Sequence, residues 1–580
     1  MKKLIGAAVA ALILSALPVG ALNVYPIDKA QILAGAKFDF KVELDAVVDP
    51  ASVSVTVNGG KVAAVLGKEP QAVTEKDKKD MEASALILRD VKVVKAGTYT
   101  VEVKVGDMKK TVTWTVYPAA AKATAKNVIF LIADGLSVGH RTAARILSKG
   151  NTEGTSNGLL AMDMMDRMGL VGTSSVNSLA VDSANSMSAY MTGHKSSVNA
   201  LGVYADRTAD PFDDPKQETL GELVRRTTKK SIGIVSDAEL QDATPAAVVA
   251  HTRLRDRKAE IMEAFLAVKP EVLLGGGSAY FLPKSVTGSK RADEKDYFDL
   301  FEKEGYKVAT TNSELSAATM SSTPKKLLGV FHPGNLDGAL DRLLLGKGTV
   351  SKYNDQPDLT NLTRTALEVL STNKEGFFLM VEAGLVDKYS HPMDWERAVY
   401  DTIMFDKVIA IAQDFAKKNP DTLIVVTGDH THSISVYGTV DDKKPGTLMR
   451  DKVGTYANAG FTNYVDANSD GYPDSPNPSK RLAIGWGNHP DYWETFKPKL
   501  DAPFNPTVQD ENKNWIANDK YKSDTATLIA GNLARTDSTE VHSIDDMTLQ
   551  MTGPGSDKLK AYQENTSTFR YIVEALGLKP

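Results

Sequence analysis

The sequence predicts two structural classes in one chain: a small all-β domain, then an α/β domain with a largely parallel central sheet flanked by helices. Three observations predict this. Up to about residue 118, short runs alternate apolar and polar residues with period two. From about residue 126, wholly apolar runs alternate with longer helical stretches, the pattern of strands covered on both faces. Between them, 119–125 is a run of small residues with one lysine after Pro118, which reads as a linker.

Residues 1–21 carry a basic start (Lys2, Lys3), an apolar core from Leu4 to Leu17 and the small-residue exit Gly20-Ala21. That is the pattern of a secretory signal peptide, implying a periplasmic or secreted protein. The apolar core is short for a membrane span, and no later segment is apolar enough for a transmembrane helix. At 580 residues, 42% hydrophobic and 24% charged, the chain has neither a disordered nor a membrane-spanning composition. The formal charge of −5 and the absence of long single-sign runs give no reason to expect nucleic acid as a specific partner. There are no cysteines, so any metal must be held by His, Asp, Glu or hydroxyl groups.

In 22–118, the runs 37–44 and 53–57 alternate cleanly, the second closed by the turn Asn58-Gly59-Gly60. Runs 97–105 and 110–116 form a hairpin around Gly106-Asp107. Several short strands in so few residues predict an immunoglobulin-like sandwich. No catalytic cluster lies there, so the expected role is a spacer or docking module that can be removed without loss of activity.

In 126–580, ligands should gather where parallel strands end. The run 128–133 ends in Asp134-Gly135, and 231–235 leads to Gln241-Asp242-Ala243-Thr244-Pro245. The run 377–381 ends in Glu382, with Asp387 and His391 following, and 423–428 ends in Asp429-His430-Thr431-His432. One carboxylate after a strand is an ordinary turn residue. Three strands ending in Asp, Glu and Asp-His would repel one another unless cations sit between them, which predicts a multinuclear metal site. Imidazole with carboxylate suits zinc, whereas Asp134, Thr244 and Glu382 suit a harder ion such as magnesium. Asp387 and His391 are four apart, but Pro392 disfavours the α region at His391, so a helical face and a tight turn are equally expected.

Val181–Gly193 reads as a short helix entered through Asp182-Ser183 and stopped by glycine. Alone, Asp182-Ser183 is an ordinary N-cap; beside the strand-end ligands, it offers a hydroxyl at an anion-binding helix end.

Together these motifs resemble the alkaline phosphatase family, from about Lys126 to the C-terminus, with an insertion around 433–535. Asp182-Ser183-Ala184 is similar to the family's nucleophile motif. The segment 241–247 through His251-Thr252-Arg253-Leu254-Arg255 is similar to its magnesium and phosphate-arginine segment. The resemblance implies a first zinc on Asp387, His391 and a late histidine, and a second on Asp134, Asp429, His430 and the Ser183 oxygen. It implies magnesium on Asp134, Thr244 and Glu382, with Asp242 in the ion's water shell. Arg255 would bind two phosphate oxygens and Lys388 would reach phosphate through water, with Asp182 and His432 supporting from behind. His542, in Glu540-Val541-His542, fits the late histidine better than His489, although Ser543-Ile544 departs from the family pattern. His140, His194, His251, His332 and His489 are expected to be structural or surface residues. The implied activity is hydrolysis of small phosphomonoesters through a phosphoserine at Ser183, with a broad substrate range. A homodimer is compatible with the resemblance. The alternatives are a phosphodiesterase or sulfatase of the same superfamily, or an idle phosphate-binding protein.

In the insertion, Asp466, Asn468, Asp470 and Asp474 occupy positions one, three, five and nine of a calcium-loop pattern, with Gly471 at six. Asn477 replaces the glutamate at position twelve, and a polar turn explains the composition equally well.

Overall fold

The computed structural model describes residues 22–320 and 322–580; the expected signal peptide, 1–21, lies outside them. Its centre is a ten-stranded sheet. In spatial order the strands are Lys307–Ala309, Leu327–Val330, Val272–Gly276, Ser231–Glu239, Phe377–Ala383, Asn127–Ala133, Thr422–Thr427, Met547–Thr552, Arg167–Gly172 and Tyr562–Glu564. All run the same way except Met547–Thr552, which is antiparallel to both its neighbours.

The apolar runs are continuous because both faces of the sheet are covered. Along Asn127–Ala133, Ile129, Leu131 and Ala133 enter one apolar cluster, while Val128, Phe130 and Ile132 enter the other. Helices Leu359–Leu370 and Trp395–Lys418 contribute to the first cluster, and Ser183–Thr192 and Thr566–Leu576 to the second. The insertion joins the first cluster through Leu482, Ile484, Trp486 and Phe504. Among the described residues, no helix is long and apolar enough to cross a membrane.

The N-terminal part is two packed sheets of four and five strands around Trp114, whose indole donates to the Pro26 carbonyl at 2.9 Å. The expected strands are present, with Gly97–Val105 and Met108–Tyr117 as the hairpin. The period-two reading did not pick out Gln71–Lys76 and Glu82–Lys92, which form the other sheet with Lys37–Glu43.

The sandwich packs directly against the larger domain. Leu33, Ala36 and Tyr117 belong to the same apolar cluster as one face of the ten-stranded sheet. The fully buried Lys41 ammonium lies 2.6 Å from Asp206 across the junction, and Tyr25 stacks on Tyr204. Removing the sandwich therefore uncovers apolar surface and a buried carboxylate together. A chain starting at residue 119 should melt at least several degrees lower than the full chain, or be insoluble. Equal melting temperatures by calorimetry would show that the junction contributes nothing.

Candidate active site

Three adjacent strands deliver the acidic residues. Asp134 follows Asn127–Ala133, Glu382 lies at the end of Phe377–Ala383, and Asp429 and His430 follow Thr422–Thr427. Ile132 is in register with both Glu382 and Thr427, so these side chains meet at one sheet edge. The neighbouring strand extends beyond the predicted run to Glu239, past a register shift after Val235. That extension carries Ser236, whose hydroxyl donates to Glu382 at 2.5 Å.

Ser183 opens the helix Ser183–Thr192, which ends at Gly193 in the left-handed region. Asp182 caps it by accepting from the amides of Ala184 (2.7 Å) and Asn185 (3.1 Å). With the cap supplied by Asp182, the Ser183 hydroxyl is free to point across the sheet edge. It donates to the Asp134 carboxylate at 3.2 and 3.3 Å and lies 3.4 Å from His430 Nε2.

The histidines converge beside it. Asp387 lies on the helix Leu385–Ser390, and His391 caps that helix in the right-handed α conformation, so the helical alternative prevails over the constraint from Pro392. Asp387 Oδ1 lies 2.9 Å from His432 Nε2, 3.3 Å from His391 Nε2 and 3.4 Å from His542 Nε2. His542 reaches this point from far along the chain because Thr431–His432 and His542–Ser543 pair antiparallel, with His432 opposite His542. His489 is elsewhere, bonding the Pro490 carbonyl. His140 is buried against Ser390 and His194 against Tyr204, while the half-buried His251 and His332 bond Glu222 and Thr349.

Ligand atoms converge within 4.8 Å in three groups here: Asp387, His430, His432 and His542; His391, His432 and Glu540; and Asp134, Asp429 and His430. Burial, and then the nearby Asp134 carboxylate, push both Glu382 and Asp429 well above the ordinary carboxylate range. Burial, and then His430, push His542 down to about 3. Burial works against charge on His432, but the Glu540 carboxylate at 2.5 Å and the Asp387 carboxylate at 2.9 Å together outweigh it and hold the imidazole up at about 9. Thr244 Oγ1 and Asp429 Oδ2 are buried with no hydrogen-bond partner. A buried site crowded with anions and orphaned oxygens is incomplete without cations, so its donor set fits metal ions.

Beyond the strand ends, Asp242 holds two cations. Its carboxylate accepts from Arg255 Nη2 at 2.6 Å and pairs with Lys388 Nζ at 3.2 Å; Lys388 also lies 3.2 Å from Asp387.

Two residues escaped the sequence reading. Ser236 lies just beyond the apolar run that was read as its strand. Glu540 accepts from His432 and from Ser433; its place two residues before His542 was the available signal. The loop 466–474 lies away from this centre. Asp466 accepts from the amides of Asp470 and Gly471, Asn468 from Asp470, Asp470 from Tyr472 and Asp474 from Ala467. These are the bonds of a polar turn. Among the described residues, Asp466, Asp470 and Asp474 do not form a group of converging ligand atoms.

Residues 125–578 match the family model described as alkaline phosphatase. The chain belongs to the alkaline phosphatase family. It is 32% identical to alkaline phosphatase H of Pseudomonas aeruginosa, over 54% of this chain and 71% of that protein. It is 31% identical to alkaline phosphatase of Escherichia coli, over 56% and 73% respectively. It is 30% identical to streptomycin-6-phosphate phosphatase of Streptomyces griseus, over 58% and 82%. The fold is shared with Thermus thermophilus alkaline phosphatase, with a TM-score of 0.56 at 23% identity, covering 80% of this chain and 93% of that one. It is also shared with a mutant of the TAB5 alkaline phosphatase that has Mg bound in its M3 site, with a TM-score of 0.54 at 20% identity, covering 79% and 99%. The family membership makes this chain a phosphomonoester hydrolase.

Gly135, at φ +72°, shows how tightly the site is built. A Cβ there would lie 2.5 Å from the His432 ring. Gly135→Ala should therefore displace His432 from Asp387 and lower kcat/KM by roughly tenfold or more, with a loss of stability of about 1–3 kcal/mol. Unchanged phosphomonoesterase kinetics would show that the ring has room to move.

Proposed function

We propose that the chain hydrolyses phosphate monoesters through a phosphoserine at Ser183, in a metal-dependent reaction with a broad substrate range. The reading rests chiefly on the Ser183 hydroxyl, which stands at a helix N-terminus against Asp134 and His430. By its donor chemistry, Asp387, His391 and His542 would hold one zinc, and Asp134, Asp429 and His430 a second. Asp134, Glu382 and the orphaned Thr244 hydroxyl would hold magnesium. When bound, such ions supply Lewis-acid chemistry, favouring an ionised serine and charge on the departing oxygen.

The protein's own residues do the rest. Ser183 Oγ attacks phosphorus as the bond to the alcohol oxygen breaks, and the alcohol leaves carrying a proton. Water then attacks the phosphoserine, releasing inorganic phosphate and restoring the hydroxyl. Arg255 faces the non-bridging oxygens at the helix start, whose charge it neutralises. Asp242 keeps Arg255 and Lys388 directed at that place before substrate arrives. An arginine able to clamp two oxygens favours a doubly charged monoester over a diester. The leader pattern at 1–21 supports export, to the periplasm or beyond.

Ser183→Ala should lose about three or more orders of magnitude in turnover while zinc content is retained. Phosphate trapped on Ser183 at acidic pH should be detectable by mass spectrometry. A variant with near-normal rates would remove Ser183 from the mechanism.

Chelation should abolish activity and destabilise the protein in a pH-dependent way. Glu382 and Asp429 have raised values in the metal-free fold, so their contribution is present below the ordinary range of about 4. It is lost as pH rises through the raised values. The gap in melting temperature between metal-loaded and chelated protein should therefore widen as pH rises from about 4 to neutrality. A constant gap would mean that the carboxylates are not what the ions compensate.

A further inference from the structure

We propose that the N-terminal sandwich positions the phosphate-binding arginine, Arg255, through a segment held between the sandwich and Arg253. The inference rests on the reading of Arg255 as the phosphate clamp.

The segment 206–214 leaves the catalytic domain, touches the sandwich and returns. On the sandwich side, Lys41 Nζ reaches Asp206 Oδ2 at 2.6 Å and Glu75 at 2.6 Å, with Glu43 at 3.8 Å. Glu43 accepts from the Arg207 amide at 2.8 Å, and the Arg207 guanidinium donates to the Leu44 carbonyl at 3.0 Å and the Met81 carbonyl at 3.2 Å. Arg89 donates to the Asp214 carbonyl at 3.1 Å and to Asp39 at 2.8 Å. On the catalytic side, one buried guanidinium gathers the segment's carbonyls. Arg253 donates to Asp206 O at 3.0 Å, to Asp210 O at 2.9 Å and to Thr208 O, and its amide donates to Pro211 O at 3.2 Å.

Arg253 is only 6% exposed, and its guanidinium is turned to the carbonyls of the segment 206–214. Two residues on, the Arg255 amide donates to the Asn199 carbonyl at 2.9 Å, and Thr252 bridges to Leu201. The strip 252–255 is thus fixed by the 199–201 backbone on one side and, through Arg253, by the segment 206–214. Lys41 determines whether that segment stays. Without its ammonium, the carboxylates of Asp206, Glu43 and the half-buried Glu75 face one another and repel. A carbonyl cradle that shifts takes Arg253 with it, and displacement of about 1 Å at a phosphate-binding group is enough to cost a large factor in rate.

The test compares full-length, metal-loaded Lys41→Met, Arg253→Lys and Arg255→Ala variants with the unsubstituted protein. Inhibition by inorganic phosphate, kcat/KM on a phosphate monoester and on a diester, and zinc content are measured for each. Lys41→Met and Arg253→Lys should each weaken phosphate inhibition and monoester kcat/KM by about tenfold or more, with a much smaller loss on the diester and zinc unchanged. Combined with Arg255→Ala, each should add little further loss, because all three act through one guanidinium.

If Arg255→Ala itself leaves phosphate inhibition unchanged, the clamp reading fails and takes this inference with it. If Arg255→Ala weakens phosphate but the other two do not, the positioning role alone is refuted. Equal losses on monoester and diester, or losses that add fully to that of Arg255→Ala, also refute it. Should Lys41→Met not fold, Arg207→Ala perturbs the same junction more gently; it should show the same monoester-selective loss, and an unchanged monoester-to-diester ratio would overturn the proposal.

Discussion

Parallel strands that end together put their following residues in one place, and here those residues are acids. Ile132 lies in register with Glu382 on one side and Thr427 on the other, so Asp134, Glu382 and Asp429 cannot avoid each other. All three are buried, where an ionised carboxylate without compensation costs several kcal/mol. Much of the local architecture follows from that constraint. Imidazoles crowd in from His391, His430, His432 and His542; Ser236 takes one oxygen of Glu382; and Gly135 gives up its side chain so that His432 can reach Asp387. Even so, Thr244 and Asp429 keep oxygens that no protein group satisfies.

The elements that could be read from the sequence are those whose meaning is local. A strand's apolar run and the acid that follows it are adjacent in the chain, so Asp134, Glu382 and Asp429 could be picked out without knowing the strand order. Asp182-Ser183 with Gly193 announces a capped helix wherever it lies. The resemblance to a family then joined segments that periodicity could not join, such as His542 to Asp387. Where it offered two late histidines, the antiparallel pair of His432 and His542 explains the outcome: the ladder brings His542 in, and His489 is held by the insertion.

What escaped reading depends on contacts between distant segments. Glu540 matters because it meets His432, 108 residues away in sequence, and its place two residues before His542 was the one local hint. Ser236 was hidden by a strand that continues through a register shift beyond its apolar run. The calcium-like spacing at 466–474 illustrates a pattern with two local meanings. Oxygen-bearing side chains at alternate positions suit an ion, but they suit backbone amides of a tight turn as well, and composition does not distinguish the two.

The junction between the two parts of the chain carries contacts that the sequence of the sandwich does not reveal. An all-β module without catalytic residues looks detachable when only site residues are counted. Apolar burial at Leu33, Ala36 and Tyr117 would attach it in several orientations, since that force has no direction. The charges supply direction: the buried Lys41 must meet Asp206 across the junction, and Arg89, held to Asp39 within the sandwich, reaches across to the Asp214 carbonyl. Because the same segment presents its carbonyls to Arg253, the orientation fixed at the sandwich is passed toward the chain that carries Arg255. A module with no reacting group can thus govern where one is held.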